Sequence, residues 1–246
     1  MRKTMMNLSR MILAASLCSV LTSGLASAEE ETPSADLGVS ILSDYVWRGY
    51  GLSDGSLVVQ PSMTVSYKGF AVNMWGNLDT DYNDDGADLM ETDLTVSYDG
   101  AAGIVGYGLG YIFYGLDGDD SQELYASAGL DVLLAPTLTV YRDFDAFDGW
   151  YATLGISHSI ALADDLTLDL GAQAGYYSLD DVDYDELHDG LLSVSLTYGF
   201  AEYFSLTPEI HYSFPLTSES EADIEAVSVS GDSDYLYGGL TLGMAF

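Results

Sequence analysis

Leu166-Thr167-Leu168-Asp169-Leu170-Gly171-Ala172-Gln173-Ala174-Gly175 alternates without a break, with Leu and Ala at even positions and Thr, Asp, Gly and Gln at odd ones. A period of two is the period of a β-strand, and it sorts these residues onto one apolar and one small, polar face. The same alternation recurs outward in both directions. Leu192, Val194, Leu196 and Tyr198 oppose Ser193, Ser195 and Thr197, and Met63, Val65 and Tyr67 oppose Ser62, Thr64 and Ser66. Read along the chain, it places strands near 35–47, 56–67, 70–78, 89–98, 104–114, 122–133, 137–144, 150–160, 165–177, 190–199, 203–214 and 234–246.

The connections between these strands alternate in length. Short turns lie at Tyr67-Lys68-Gly69-Phe70, at 99–103, at Ala135-Pro136, at 163–165 and at 199–202, whereas longer acidic segments lie near 48–55, 79–88, 115–121, 145–149, 178–189 and 215–233. Short turns on one side, long loops on the other and an even strand count are the arrangement of a transmembrane antiparallel up-and-down β-barrel of about twelve strands, an all-β fold. A soluble barrel would carry Lys and Glu outside; here the second face is Ser, Thr and Gly, so lipid belongs outside and water inside. Tyr67, Phe70, Tyr98, Tyr198, Phe200, Phe204 and Phe246 fall beside the short turns or at the last residue, and Trp47 and Trp150 beside the long loops, as two aromatic girdles would.

Residues 1–28 read as a secretory signal peptide: Arg2, Lys3 and Arg10 at the start, an apolar run from Met11 to Leu25, and Ala26-Ser27-Ala28 as the cleavage site. Leu17 before Cys18 argues against lipidation of the single cysteine, and residues 29–246 form one barrel domain. Three of the six basic residues leave with the signal, so Arg48, Lys68 and Arg142 face 39 acidic residues. That balance excludes nucleic acid as a partner and favours cations. No apolar run after Glu29 reaches the length of a transmembrane helix.

Leu42-Ser43-Asp44-Tyr45-Val46-Trp47-Arg48-Gly49, followed by Leu52-Ser53-Asp54, resembles the start of the TorF-like family of outer-membrane porins, and the likeness continues through Trp75-Gly76-Asn77-Leu78-Asp79 and Gly110-Tyr111-Ile112-Phe113-Tyr114. The resemblance implies a barrel in the outer membrane of a Gram-negative bacterium, without catalytic residues and with the solute unspecified. The terminal run Leu240 to Phe246 similarly resembles the signal read by the barrel-assembly machinery.

The lumen face collects Asp44, Glu91, Asp93, Asp131, Asp143, Asp169 and Glu209 against Arg48, which pairs with Asp44 on this reading. Rings of carboxylates favour cations in a pore. The function expected is an outer-membrane porin-like channel for small solutes, cation-preferring, and not an enzyme. A second reading is a non-conducting barrel whose acidic outer loops bind divalent cations or a partner, lipopolysaccharide among them. No cofactor is expected beyond Ca²⁺ at those loops: Asp81, Asn83 and Asp85 copy the first half of a calcium loop, but Thr92 stands where its closing Glu belongs. A third reading, a lipid hydrolase, rests on His211-Tyr212-Ser213, yet the alternation points His211 and Ser213 into the lumen, away from lipid.

Overall fold

The structure is a computed structural model that describes residues 32–81, 86–180 and 182–246. The segment expected to be a signal peptide lies outside them, as do Asn83 and Asp85 of the calcium-loop motif. Twelve antiparallel strands close into a barrel. They are β1 (Ser34–Leu42), β4 (Val58–Tyr67), β5 (Phe70–Asp79), β6 (Asp88–Ala102), β7 (Val105–Leu116), β8 (Ser121–Leu130), β9 (Thr137–Asp143), β10 (Gly149–Ala163), β11 (Leu166–Leu179), β12 (Tyr184–Gly199), β13 (Phe204–Pro215) and β14 (Tyr235–Ala245). Closure is made by β1, which pairs with β4 on one side and with β14 on the other, Asp36 facing Ala245 and Leu42 facing Gly239. Among the described residues the barrel wall leaves no strand edge for another chain to pair with.

The faces are inverted relative to a soluble barrel. Leu37, Val39 and Ile41 of β1, Met63 and Val65 of β4, Leu192 and Val194 of β12, and Leu240 and Leu242 of β14 are all exposed outward. Their neighbours Ser40, Gln60, Thr207 and Thr241 are buried inward. Exposed apolar surface on this scale, around the whole circumference, is a lipid-facing wall. Strands of ten residues or so, tilted by about 45°, are long enough to cross a bilayer. Tyr67, Phe70, Tyr98, Tyr198, Phe200, Phe204 and Phe246 are all exposed near the short-turn end, where Phe70 and Tyr98 pack 4.9 Å apart between ring centroids.

The wall differs most from the sequence expectation at two strands, while β6 runs on to Ala102 and β8 stops at Leu130. The first ends at Leu42, five residues early, and the chain then turns into the lumen as a two-stranded hairpin, β2 (Val46–Trp47) and β3 (Tyr50–Gly51). The tenth begins at Tyr184, six residues early, so His188, expected in a loop, is fully buried in a strand. One long acidic connection also holds a helix, α1 (Ser218–Val227), capped by Thr217, whose hydroxyl accepts from the Ser220 backbone N–H while the Ser220 hydroxyl accepts from the Thr217 N–H.

Candidate functional site

The hairpin β2–β3 closes over two residues, Arg48 and Gly49, with φ of 49° and 88°. Two positive φ values in succession make a type I′ turn, whose twist suits a tight hairpin. Glycine takes this conformation freely; an arginine there costs about 1–2 kcal/mol. The hairpin is held from below and above. Below, Tyr45 donates its hydroxyl to Glu91 Oε2 (2.7 Å) and packs against Trp75 (5.6 Å), while Leu52 N–H donates to the Tyr45 carbonyl (2.7 Å). Above, α1 lies across the long-loop end: Tyr50 donates its hydroxyl to Asp223 Oδ2 (2.7 Å), Gly51 N–H to Ser228 Oγ (3.0 Å), and Val229 N–H to the Gly51 carbonyl (2.9 Å). Ile224 is wholly buried under this helix, against Gly49.

Arg48 therefore sits at the tip of a plug. Its Nη2 donates to Glu123 Oε2 at 2.7 Å, and both side chains are almost completely buried. The sequence reading paired it with Asp44; the hairpin turn carries it across the lumen to β8 instead. Aromatic rings enclose the guanidinium, with Trp47 and Tyr151 centroids 4.3 Å from its central carbon, Tyr141 at 5.0 Å and Tyr177 at 5.8 Å. Burial alone would pull the guanidinium pKa down, but the Glu123 carboxylate together with Tyr114, Tyr177 and Tyr151 holds the group well above its ordinary range.

The tyrosines form a belt set by register. Tyr125 of β8 faces Tyr141 of β9, which faces Tyr151 of β10, which faces Tyr177 of β11, each directly across the ladder. Their centroids step around the wall at 5.7, 6.0 and 5.5 Å. Two neighbouring hydroxyls are fixed by acids, Tyr151 donating to Asp189 Oδ1 (2.8 Å) and Tyr114 to Glu123 Oε2 (2.7 Å). Toward the short-turn end the inner wall is small: Gly106, Gly108 and Gly129. What the plug leaves open is a cavity of about 90 Å³ reaching Asp44, Asp93, Trp75, His211 and Tyr237. Pockets that take small organic molecules run to about 300–1,000 Å³, so the lumen is constricted at the plug.

The carboxylates read from sequence separate into three groups. Glu91, Asp143, Asp169 and Glu209 face inward but are engaged: Glu91 by Tyr45, Asp143 by the Ser121 hydroxyl, Asp169 by Ser159, and Glu209 by His211 (2.9 Å) and Thr241 (2.6 Å). Asp44 and Asp93 line the cavity, and Asp93 Oδ1 is buried without a hydrogen-bond partner. Burial pushes the Asp44 carboxyl above its ordinary range, partly offset by hydrogen bonds from Ser43 and the Gly55 backbone. Asp131 is a correction: β8 stops at Leu130, so Asp131 lies exposed in the turn to β9 and outside the lumen. Trp47, expected at the outer girdle, is inside against Tyr50, Tyr114 and Phe147. Glu123, Asp189 and the tyrosine belt were missed in the sequence reading.

His211 and Ser213 are buried on the lumen side and Tyr212 is exposed outward. Asp223, an acid in the long connection that follows them, is engaged by Tyr50. Among the described residues no group of three His, Cys, Asp or Glu side chains is placed to hold a metal ion.

Residues 27–137, a little under half of the chain, match a bacterial family of unknown function, Gcw_chp. No curated protein matches the sequence. Among solved structures the chain is similar to the KdgM porin, at 12% identity over 87% of this chain and 99% of that one with a TM-score of 0.55. It is similar to the NanC porin at 11% identity over 86% and 98%, also with a TM-score of 0.55. A KdgM porin in complex with disordered oligogalacturonate matches at 12% identity over 87% and 98%, TM-score 0.51. The fold is that of outer-membrane porins.

Proposed function

We propose that the protein is a porin-like channel of a bacterial outer membrane that passes small solutes and prefers cations. The observation that carries this reading is a closed barrel, apolar outside, whose polar lumen is narrowed by an inward hairpin rather than filled by its own wall side chains. Barrels of eight strands are packed by their side chains and those of sixteen enclose wide channels, so twelve strands leave a passage that one loop can constrict. The short-turn end then faces the periplasm and the hairpin and α1 guard the outer mouth.

Cation preference rests on Asp44, a carboxylate at the edge of the open space, while the buried guanidinium of Arg48 is neutralised by Glu123. An oligogalacturonate is a polyanion, so the KdgM complex is a poor guide to the solute here. The likeness of residues 42–54 to TorF-like porins, the signal-like segment at 1–28 and the alternating run to Phe246 support export and insertion by the barrel-assembly machinery.

Refolded protein in a planar bilayer under a KCl gradient tests the reading. Discrete openings with a cation-selective reversal potential are expected. A bilayer that stays silent with insertion verified would overturn it.

A further inference from the structure

The environment of Arg48 is one a barrel could offer to a free ligand. Three rings from three consecutive strands turn their faces to one point, and a carboxylate from the fourth closes the remaining side. Aromatic faces attract cations through the ring quadrupole, and a planar guanidinium both stacks on them and forks to a carboxylate. The wall does not depend on Arg48 for its shape. Tyr151 is oriented by Asp189, Tyr114 by Glu123, and Tyr125, Tyr141, Tyr151 and Tyr177 by their direct cross-strand register. Glu123 Oε1 is buried and has no hydrogen-bond partner, so the carboxylate has capacity beyond what Arg48 uses.

Arg48 itself is held in a way that favours exchange. It occupies a left-handed position at φ 49°, next to Gly49, at a cost of about 1–2 kcal/mol that opening of the turn would recover. It is carried on a two-residue turn at the end of short strands, connected to the wall at Leu42 and Val58.

We propose that Tyr141, Tyr151, Tyr177 and Glu123 form a binding site for guanidinium-bearing cations on the lumen wall, and that Arg48 is its tethered occupant. A solute of the same chemistry competes with Arg48, and displacement of the hairpin widens the lumen. The site stands on the geometry of the wall; only the widening rests on the channel reading. A tethered ligand on a short loop acts at an effective concentration in the millimolar range, so free guanidinium must reach about that level to compete.

The test uses the full chain refolded in detergent, with folding checked by β-sheet circular dichroism and heat-modifiable gel mobility. Guanidinium chloride is titrated calorimetrically against matched NaCl. Arg48→Ala is expected to bind guanidinium saturably and at least about tenfold more tightly than the wild type, and Arg48→Ala/Glu123→Gln to lose that binding. Equal binding by Arg48→Ala and wild type, or undiminished binding by the double variant, overturns the proposal. Should Arg48→Ala not fold, Arg48→Lys replaces it, since an ammonium lacks the planar fork and yields more readily to guanidinium; failure of both to fold also overturns the proposal, because the occupant would not be exchangeable. In bilayers, Arg48→Ala should open to a larger conductance than the wild type, and added guanidinium should raise the wild-type conductance toward that level. Specific binding with no conductance in any variant retains the site and ends the channel reading.

Discussion

Replacing Ile224 with Ala should free the outer lid without loosening the barrel. Ile224 is completely buried at the middle of α1, and its Cδ1 lies 3.0 Å from where a Cβ on Gly49 would stand. The change removes three buried carbons, worth about 2.4 kcal/mol at about 0.8 kcal/mol each. A residual cavity can raise the cost of such substitutions to about 5 kcal/mol, but a lid at the mouth can settle into the space, so the lower figure applies. Alanine is the better helix former, which separates loss of docking from loss of the helix itself. At about 1.4 kcal/mol per factor of ten, the undocked population rises about fifty-fold. Of the remaining ties, Tyr50 to the Asp223 carboxylate is worth about 1.5–3 kcal/mol, and Gly51 to Ser228 and Val229 to Gly51 about 1 kcal/mol each. Hydrogen–deuterium exchange checks the outcome: amides of 46–51 and 218–229 should exchange about fifty times faster, and those of β10 to β12 at their original rate. Unchanged exchange in α1, or acceleration spread evenly over the barrel, would refute the reasoning.

Gly110→Val should lower the thermal melting point of the refolded barrel, since even a Cβ there would come within 2.3 Å of the Tyr125 ring, and overpacking of this kind costs about 1–3 kcal/mol. Because burial raises the Asp44 pKa, that carboxylate becomes protonated on milder acidification than an exposed one would; cation preference should weaken as pH falls into that range, and Asp44→Asn should flatten the profile.

The wall was legible because lipid outside and water inside impose one rule on every strand. Leu37, Val39 and Ile41, or Leu240 and Leu242, declare their face through period two alone, and the tight turns fix the register between neighbours. The hairpin was not legible for the same reason. Asp44-Tyr45-Val46-Trp47 alternates like a continuing strand, and whether such a segment follows the wall or bends inward is decided by distant partners, Glu91 and Trp75 for Tyr45, Glu123 for Arg48. The Arg48-Gly49 pair between Trp47 and Tyr50 was the one local sign of a turn. The helix α1 escaped because it is acidic throughout and buries little besides Ile224, so its only signature was the Thr217 and Ser220 cap. The tyrosine belt, in contrast, could have been found. Tyr125 shares its phase with Ser127 and Gly129, and Tyr177 with Gly175 and Gln173, all on the small, polar face. Sorting aromatics by nearness to strand ends, as a girdle requires, concealed that a second set was sorted by phase.

That second set bears on where selection occurs along the axis. Toward the short-turn end the lumen is walled by glycine and serine, which hold no charge and set little resistance. Asp169, nearer that end, is engaged by the Ser159 hydroxyl, while Asp93, whose Oδ1 has no hydrogen-bond partner, and Asp44 lie at the level of the hairpin. Rings, carboxylates and the buried guanidinium therefore meet at one depth, where the passage is also narrowest. In a wide pore a charge acts on a passing ion across water and is screened within about 10 Å at ordinary salt. At a constriction lined by rings the water is displaced, and the same charge acts in a lower dielectric with several times the effect. Substitutions elsewhere on the wall should therefore alter stability before they alter what passes, and substitutions in loop 43–57 should do the reverse.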